Sequence, residues 1–521
     1  MTGRPGRTQR IPVDETPLNA PRPDINARIG WLLLMSRLHH SDESFQDGHR
    51  FAEALCDSGA HVSRSLVSRW ESGKISVSYE GMTAYETVLG LEAGQVSSIT
   101  VYVKASMPGV TTRVSQPKVD ATTPAFAERL DDLIDVAEAG AASPRDWQEL
   151  GWHVAAAPMI HLRRGTWEAL SRRLVNLLPR SVRVAYRQLS TAAMSIATLP
   201  RAQSFLVEAI ADYISDPAVQ VVTSPTGLLD RLPTRDAARL VLDLIDHPGS
   251  RPLYLTAVWA ATQKLVRGDF TVDERNRLGV LVLKAWRRDP VQTGQDLAEL
   301  IGALPEGLRS TLVQASDRAG RKRLGYVVEH GEELLAAKAR VFAEEVAAQA
   351  RSGIAVQATY SDDRMLPRLI REALFHRDSE RRHLASLLLS ASPFATSVTD
   401  ELLARLSEPY PDWIRGRLAT LVRYLSIDVH RLRLVDLLDD PADEVAVPAA
   451  QAVGHLRFNV VSDQALRNSL AREWSNRQQA KMYALGMSGS PVLGLLAASS
   501  NAPEWQRAAA SWWLRNGPAI R

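Results

Sequence analysis

The chain has 521 residues, which is too long for one ordinary hydrophobic core and predicts two or more domains. Apolar residues make up 45% and charged residues 23%, as is typical of a folded globular protein. The net charge is only +3, which excludes a polycation, so any contact with nucleic acid must come from a local arrangement of charges.

Cysteine content and hydropathy favour a cytoplasmic location. Cys56 is the only cysteine, which excludes an internal disulfide and indicates a reducing compartment. The sequence contains no uncharged apolar run of about eighteen residues, so we expect no membrane span.

Residues 1–25 predict a disordered basic tail, because they are rich in Arg, Pro and Thr and hold no apolar segment. Arg4, Arg7 and Arg10 could follow a phosphate backbone or enter a minor groove. An inert, solvated tail is the alternative.

Two helices are predicted next. Residues 26–38 form the first, and its core face carries Ile29, Leu32, Leu33 and Leu38. Residues 48–57 form the second, and its apolar face carries Phe51, Ala52 and Leu55.

Residues 61–74 predict a short third helix with a defined start and end. Ser63 suits the N-cap because its hydroxyl can accept a hydrogen bond from a free backbone N–H, and Gly73 suits the end because it tolerates a left-handed conformation. Val67 and Trp70 lie three residues apart and share an apolar face. The opposite face carries Arg64, Ser65, Ser68 and Arg69, with Leu66 at its edge.

That opposite face has the chemistry of a major-groove reader. Arginine can donate two hydrogen bonds to guanine, serine can bond to any base or to phosphate, and an aliphatic side chain can touch a thymine methyl group. Two further helices are predicted at 79–90 and from Glu92 to about Tyr102.

The run from Val62 to Gly73 resembles the recognition helix of Xre/Cro-type helix-turn-helix domains. The family pattern is a small or Ser start, then apolar, Ser, basic, Trp, Glu, any residue and Gly. The resemblance covers about residues 26–100 and implies a DNA-binding domain over 26–103. On this basis we expect contacts with base edges from Arg64, Ser65 and Arg69, and contacts with phosphate from Ser68 and Lys74.

The sequence departs from the family pattern in two places. The connection from Cys56 to Val62 is longer than the family's tight turn by about one helical turn. The second helix begins with Gly48 and His49, where family members usually carry a glutamine that holds a phosphate. Formal charges over 26–78 sum to about zero, so we expect weak nonspecific DNA affinity that a dimer or a second binding unit would strengthen.

The remaining chain reads as helical. Residues 104–124 predict a linker because Pro, Gly and Thr occur there without periodicity. Residues 125–351 predict a helical domain, and residues 352–364 a break. Helices of that domain are predicted at 125–139, 145–156, 165–177, 181–198, 201–214, 234–246, 252–266, 271–288, 293–303, 305–318 and 331–351.

Residues 365–521 predict helical repeats. Several times a polar turn with Asp or Pro precedes a helix rich in Ala and Arg, at spacings of about thirty residues, the period of a helical-pair solenoid. Equivalent positions at the starts of these helices are held by Asp378, Asp412, Asp443 and Glu504. The pattern resembles HEAT repeats, and an irregular helical bundle is the alternative.

No catalytic set is predicted. The sequence has no Gly-x-x-x-x-Gly-Lys-Ser/Thr loop, no Gly-x-Ser-x-Gly turn and no His-Glu-x-x-His pair. The clustered residues His39, His40, His49, Cys56 and His61 lack the spacing of a metal site. We therefore expect no enzyme activity, no cofactor and no metal.

The sequence thus predicts an all-α protein with a helix-turn-helix domain and a large α-solenoid or irregular helical region. The expected function is transcription regulation through double-stranded DNA, with the helical region serving in homodimerisation, protein-partner binding or ligand sensing. One alternative is a helical-repeat interaction scaffold whose helix-turn-helix module docks a protein. Another is an enzyme in the helical part, which would need a cleft with converging titratable side chains.

Overall fold

A computed structural model describes most of the chain, namely residues 9–20, 22–107, 116–117, 119–157, 159–288, 297–315, 318, 321, 333–360 and 362–521. Over these residues the fold is all-α, as predicted, with two isolated β-bridges and no strand. None of the described helices has the length and hydropathy needed to cross a bilayer.

The chain divides into two compact units. The first comprises Met1–Pro117, Glu332–Ala471 and Ser475–Ala484, and the second comprises Lys118–Gly331, Arg472–Trp474 and Leu485–Arg521. The N-terminal helices therefore share one unit with much of the region in which repeats are predicted.

Five helices open the first unit: α1 Ile25–Leu38, α2 Gly48–Asp57, α3 Arg64–Glu71, α4 Tyr79–Val88 and α5 Ser97–Ser106. Side-chain oxygens cap the first four; the capping residues are Asp24, Asp47, Ser63 and Ser78. Helix α5 begins later than the predicted Glu92. The buried carboxylate of Glu86 accepts hydrogen bonds from the backbone N–H groups of Val96 (2.8 Å) and Ser97 (2.7 Å), which fixes the helix start there.

The first unit continues with α17 Ala336–Ser352, α18 Met365–Phe375, α19 Ser379–Ala391, α20 Ala395–Arg405, α21 Asp412–Leu425, α22 Arg431–Asp436, α23 Asp443–His455, α24 Val460–Asn468 and most of α25 Asn476–Ser488. Asp378 caps α19, while Asp412 and Asp443 begin α21 and α23, so the predicted equivalent positions all lie at helix starts. Helix α21 packs on both α19 and α23, two helices away in each direction. Such stacking is the layout of a helical-pair solenoid.

The second unit holds α6 Pro124–Ala139, α7 Pro144–Ala156, α8 Arg164–Leu177, α9 Arg183–Ala197, α10 Pro200–Ser215, α11 Thr223–Gly227, α12 Arg235–Asp246, α13 Arg251–Arg267, α14 Val272–Arg288, α15 Ala298–Ala303, α16 Glu306–Ala315, α26 Val492–Ala498 and α27 Glu504–Asn516. Helices α8, α10, α12 and α14 pack in succession, as do α7 and α9, so two layers alternate along the chain. Glu504 begins α27, as the repeat pattern predicts. The predicted boundaries at 293 and 331 lie outside the described residues, and the predicted end at 318 follows two residues that the structure does not describe.

The prediction of a disordered tail is wrong for the described residues before α1. Ile11 is buried, Gln9 forms a β-bridge with Tyr360, and the carbonyl of Leu18 lies 2.9 Å from Nε2 of His376. The composition of this segment does not reveal that it is ordered, because the residues that hold it in place lie far away in the sequence. Arg10 is exposed, while Arg4 and Arg7 lie outside the described residues.

A buried ionic cluster joins this segment to α1 and α18. Arg28 of α1 donates to Oδ2 of Asp14 (2.7 Å) and makes a two-pronged ion pair with Glu372 (2.6 and 2.7 Å). Arg368 and Arg381 also contact the Glu372 carboxylate, at 3.1 and 3.3 Å. Three cations thus surround the same buried carboxylate, and two segments far apart in sequence are held on one guanidinium.

The surrounding cations lower the pKa of both buried carboxylates. Burial on its own would raise the pKa of Glu372, but the charges of Arg28 and Arg381 outweigh it and hold that pKa far below its usual range. Burial also opposes ionisation of Asp14, and Arg28 again reverses the effect, so its pKa is lowered. Both groups therefore remain charged in the folded protein.

We expect Glu372→Gln to lower the free energy of unfolding of the first unit by about 3–5 kcal/mol, because it leaves buried Arg28 without most of its compensating charge. Urea denaturation followed by circular dichroism measures the change. The matched control is Glu344→Gln, which removes an exposed carboxylate 3.8 Å from Arg340 on α17 and should change stability by less than about 0.5 kcal/mol. Equal effects of the two substitutions would contradict the role of the cluster.

Acid should weaken the parent protein more than the Glu372→Gln variant. A carboxylate whose folded pKa is lowered contributes stability above its unfolded pKa and loses it as the pH falls, here from about pH 4 downward. The test is the slope of the unfolding free energy between about pH 5 and pH 3, which we expect to be steeper for the parent. Parallel slopes would show that Glu372 does not drive acid destabilisation.

Candidate nucleic-acid interface

Helix α3 presents the predicted face to solvent. Arg64, Ser65, Ser68 and Arg69 are exposed, as is Lys74 just beyond the helix. Val67 and Trp70 are 1% and 5% exposed and point into the unit, as predicted. The side chains expected to bind DNA and those expected to hold the helix are therefore on opposite faces.

The cations of this face are unpaired with respect to the described part of the chain. No carboxylate among the described residues forms an ion pair with Arg64, Arg69 or Lys74. Ser63 caps α3 through a hydrogen bond from the Leu66 N–H (3.2 Å), and its hydroxyl lies 3.0 Å from that of Ser65. The arginine and lysine groups are thus free to bind an external anion or hydrogen-bond acceptor.

A buried ion pair fixes the C-terminal end of α3. Arg37 of α1 makes a two-pronged contact with the Glu71 carboxylate (2.6 and 2.8 Å), and the Tyr85 hydroxyl donates to the same carboxylate at 3.0 Å. Arg37 also donates to the carbonyl of Phe45 (2.7 Å). Burial and the adjacent Glu71 charge raise the pKa of Tyr85 well above its usual value, so the phenol stays a donor.

Two glycines allow α1 and the end of α3 to approach closely. Gly73 has φ +70°, and a Cβ on it would lie 2.6 Å from the Cα of Ala27. A Cβ on Gly30 would lie 2.7 Å from the carbonyl oxygen of Trp70. Gly73 is therefore required both by its left-handed conformation and by the lack of space beside it.

The connection between α2 and α3 is long, as predicted, and it is ordered. Gly59 turns the chain with φ +94°, and the Ala60 N–H donates to the Leu55 carbonyl at 3.1 Å. The Cys56 thiol donates to the Val62 carbonyl at 3.1 Å. The extra residues thus form a capped turn that delivers the chain to Ser63.

The charges of the N-terminal helices separate by face. The sequence sum over 26–78 counts Arg28, Arg37 and Glu71, but all three are buried and paired within the unit. The cations that remain exposed near α3 are Arg50, Arg64, Arg69 and Lys74. The exposed acids on α2 and the turn before it are Asp42, Glu43, Asp47, Glu53 and Asp57. The α3 face is thus basic, and α2 with the turn before it is acidic on balance because Arg50 is its one exposed arginine, although the charges of the two regions sum to nearly zero.

Further hydrogen bonds hold the N-terminal helices on the rest of the first unit. His39 places Nδ1 2.7 Å from the Val356 carbonyl and Nε2 3.2 Å from the Tyr360 hydroxyl. The Tyr102 hydroxyl lies 3.1 Å from Nε2 of His383 on α19. In the described part of the chain, no three His, Cys, Asp or Glu side chains form a group able to bind a metal ion. Both ring nitrogens of His39 thus lie within hydrogen-bond distance of groups in the first unit.

Sequence reasoning did not identify the residues that position α3. Arg28 and Arg37 look like ordinary helix-surface cations in the sequence, and their acidic partners lie 344 and 34 residues away. A buried glutamate needs a cation as its partner, but successive helix residues point in different directions, so the sequence does not show that Glu71 is buried beside Trp70.

No protein-family model and no curated protein sequence matches this chain. Among solved structures, a crystal structure of Kap121p is similar at a TM-score of 0.26 and 12% identity, over 94% of this chain and 53% of Kap121p. The chain thus spans about half the length of that protein. A structure titled for tubulin recruitment by microtubule polymerases with TOG domain arrays is similar at a TM-score of 0.21 and 10% identity, over 77% of this chain and 99% of that one.

We expect Gly73→Ala to lower the free energy of unfolding of the first unit by about 3 kcal/mol or more, because the added methyl group clashes with α1 backbone in addition to the left-handed strain. Gly59→Ala is the matched control: its φ is +94°, yet nothing lies within 4 Å of the added Cβ, so strain alone costs about 1 kcal/mol. Thermal or urea denaturation gives both values. If both variants lose the same stability, close packing of α1 on α3 is not what demands Gly73.

Proposed function

We propose that the chain is a DNA-binding regulator that inserts α3 into the major groove of double-stranded DNA. The observation that carries the proposal is the exposed face of α3, on which Ser65 is exposed and Arg64 and Arg69 have no ionic partner among the described residues. Arg64 and Arg69 would bond to base edges together with Ser65, while Ser68 and Lys74 would bond to phosphate.

The rigid mounting of α3 supports base readout. A recognition helix must hold its side chains in register with successive base pairs, so movement relative to the rest of the domain would reduce discrimination. The Arg37–Glu71 ion pair and the close approach at Gly73 fix this helix at its C-terminal end. The exposed acids on α2 oppose tight nonspecific binding, so the proposed affinity depends on direct contacts by α3.

The second candidate is an interaction scaffold, in which the stacked helices bind a protein and α3 docks a protein surface. The acidic exposed face of α2 favours it, because Glu53 and Asp57 would repel a phosphate backbone and could instead attract a basic partner.

We expect the double substitution Arg64→Ala and Arg69→Ala to abolish selection of a DNA motif. Random duplexes retained by the parent protein at about 150 mM salt are sequenced, and the enriched duplex is titrated with both proteins. Loss of two arginine–base contacts should cost about 2 kcal/mol or more, at least about thirtyfold in affinity. The matched control is Arg145→Ala with Arg172→Ala, two exposed arginines of the second unit. No enriched motif for the parent would favour the scaffold.

We expect Lys74→Ala to weaken all duplexes to a similar extent, because a phosphate contact carries no sequence information. The slope of log affinity against log salt concentration should become less negative by about 1. Fluorescence anisotropy at several salt concentrations measures this slope. A change in the selected motif with an unaltered slope would instead place Lys74 at a base edge.

A further inference from the structure

The most concentrated exposed apolar surface of the first unit lies at α22 and α24. We name it the α22/α24 patch; its members are Val429 (72% exposed), Leu432 (65%), Phe458 (46%), Val460 (72%) and Val461 (54%). Isolated apolar side chains are common on protein surfaces, but five within a short stretch of chain are unusual unless something covers them.

Hydrogen bonds show that the members are neighbours in space. Arg431 at the start of α22 donates to the Ser462 hydroxyl of α24 at 3.1 Å, and the backbone N–H of Arg457 lies 3.4 Å from Oδ1 of Asp428. The N-terminal ends of α22 and α24 therefore lie side by side. Each apolar member is within two residues of one of these contacts, so all five lie near the two helix starts.

The charges around the patch are complementary to those of a second copy. Asp428 is already paired with Arg431 (2.6 Å), and Asp400 with Arg433 (3.0 Å). Arg457 is exposed at the helix starts, where its backbone lies against Asp428, and two further exposed charges without a described ionic partner lie at the other ends of the helices: Asp436 on α22 and Arg467 on α24. Asp436 lies one turn beyond Leu432 and Arg467 two turns beyond Val460, so each shares the exposed face of the apolar residues.

We propose that the α22/α24 patch is the interface of a two-fold symmetric homodimer. The two-fold axis would run parallel to α22 and α24 and lie above the groove between them. Rotation about this axis places α22 of each copy on α24 of the other, with the N-terminal ends of the two helices together. Val429 and Leu432 then cover the other copy's Phe458, Val460 and Val461. At the opposite ends, Asp436 of one copy meets Arg467 of the other, and both pairs form at once because such an interface is isologous.

The composition of the patch suits this occupant. A homodimer interface usually has an apolar centre and polar side chains at its edge, and here the edge beyond the apolar residues carries Gln464, Asn468 and the two charges. A lone Asp436 would repel an acidic partner and a lone Arg467 a basic one, whereas a second copy satisfies both. The proposal concerns the protein without DNA, so it does not depend on what α3 binds.

Sedimentation of the full chain tests the proposal. At tens of micromolar we expect the parent to sediment with a mass of twice 57.4 kDa, as a dimer. The Leu432→Asp variant should sediment with a mass of 57.4 kDa, as a monomer, because its dimer would bury an unpaired carboxylate. The control is Val280→Asp on α14, a valine that is 63% exposed in the second unit and should leave the dimer intact. A monomeric parent, or a dimer unaffected by Leu432→Asp, would overturn the proposal.

Charge reversal tests the proposed orientation. Asp436→Arg and Arg467→Asp each place like charges opposite one another, so each should weaken dimerisation by about tenfold. The double variant restores opposite charges, and its dimerisation constant should return to within about threefold of the parent. Single variants that weaken the dimer without rescue in the double variant would rule out this pairing.

Discussion

The burial of Arg28 is the constraint on which the first unit depends. A guanidinium removed from water is tolerated only when carboxylates and hydrogen bonds replace its hydration, and Arg28 finds these in Asp14 and Glu372. One carboxylate precedes α1 and the other lies 344 residues further along the chain. The unit can therefore compensate the buried charge of Arg28 only when its N-terminal and later segments are in place together.

The same helix transmits that constraint to the exposed face of α3. Arg28 and Arg37 lie on α1, the first paired with α18 and the second with Glu71 at the end of α3. Two buried ion pairs on α1 thus connect the helix that carries the exposed arginines, α3, to the stacked helices. Such a connection is stiff, because each buried ion pair permits little change in geometry without leaving a charge uncompensated. Whatever α3 binds, it binds as part of the whole first unit.

Local features of the sequence predicted most of the helices. Ser63 and Asp378 are capping residues whose effect lies within one turn, and the structure places both at helix starts. Val67 and Trp70 were assigned to the buried face of α3 from their spacing alone, which a three-residue period is sufficient to do. The exposed positions of the proposed DNA contacts follow from the same periodicity, because a helix with one buried face has one free face.

What the sequence could not predict are the contacts between segments distant along the chain. Arg28 and Arg37 occupy positions on a predicted helix where cations are ordinarily solvated, and nothing within a turn reveals Glu372 or Glu71 as a partner. The segment of Ile11 and Asp14 appears disordered by composition, since its anchors are supplied by α1 and α18. Such ion pairs depend on the tertiary fold, so the periodicity of apolar residues along the sequence does not predict them.

The burial of these pairs also changes how the net charge should be interpreted. Charges that neutralise each other inside the unit do not act on an external partner, so the exposed charges alone determine the field that such a partner meets. Three of the exposed cations belong to α3 and its end, whereas α2 and the turn before it carry five exposed acids and one exposed cation, Arg50. A DNA duplex aligned with α3 would gain from the first group and lose from the second. Its affinity per copy would then be low at physiological salt, and two copies held together would bind two half-sites with an affinity that one cannot reach. If α3 binds DNA as proposed, this charge separation would make a second copy advantageous, and a second copy is also the occupant proposed for the α22/α24 patch.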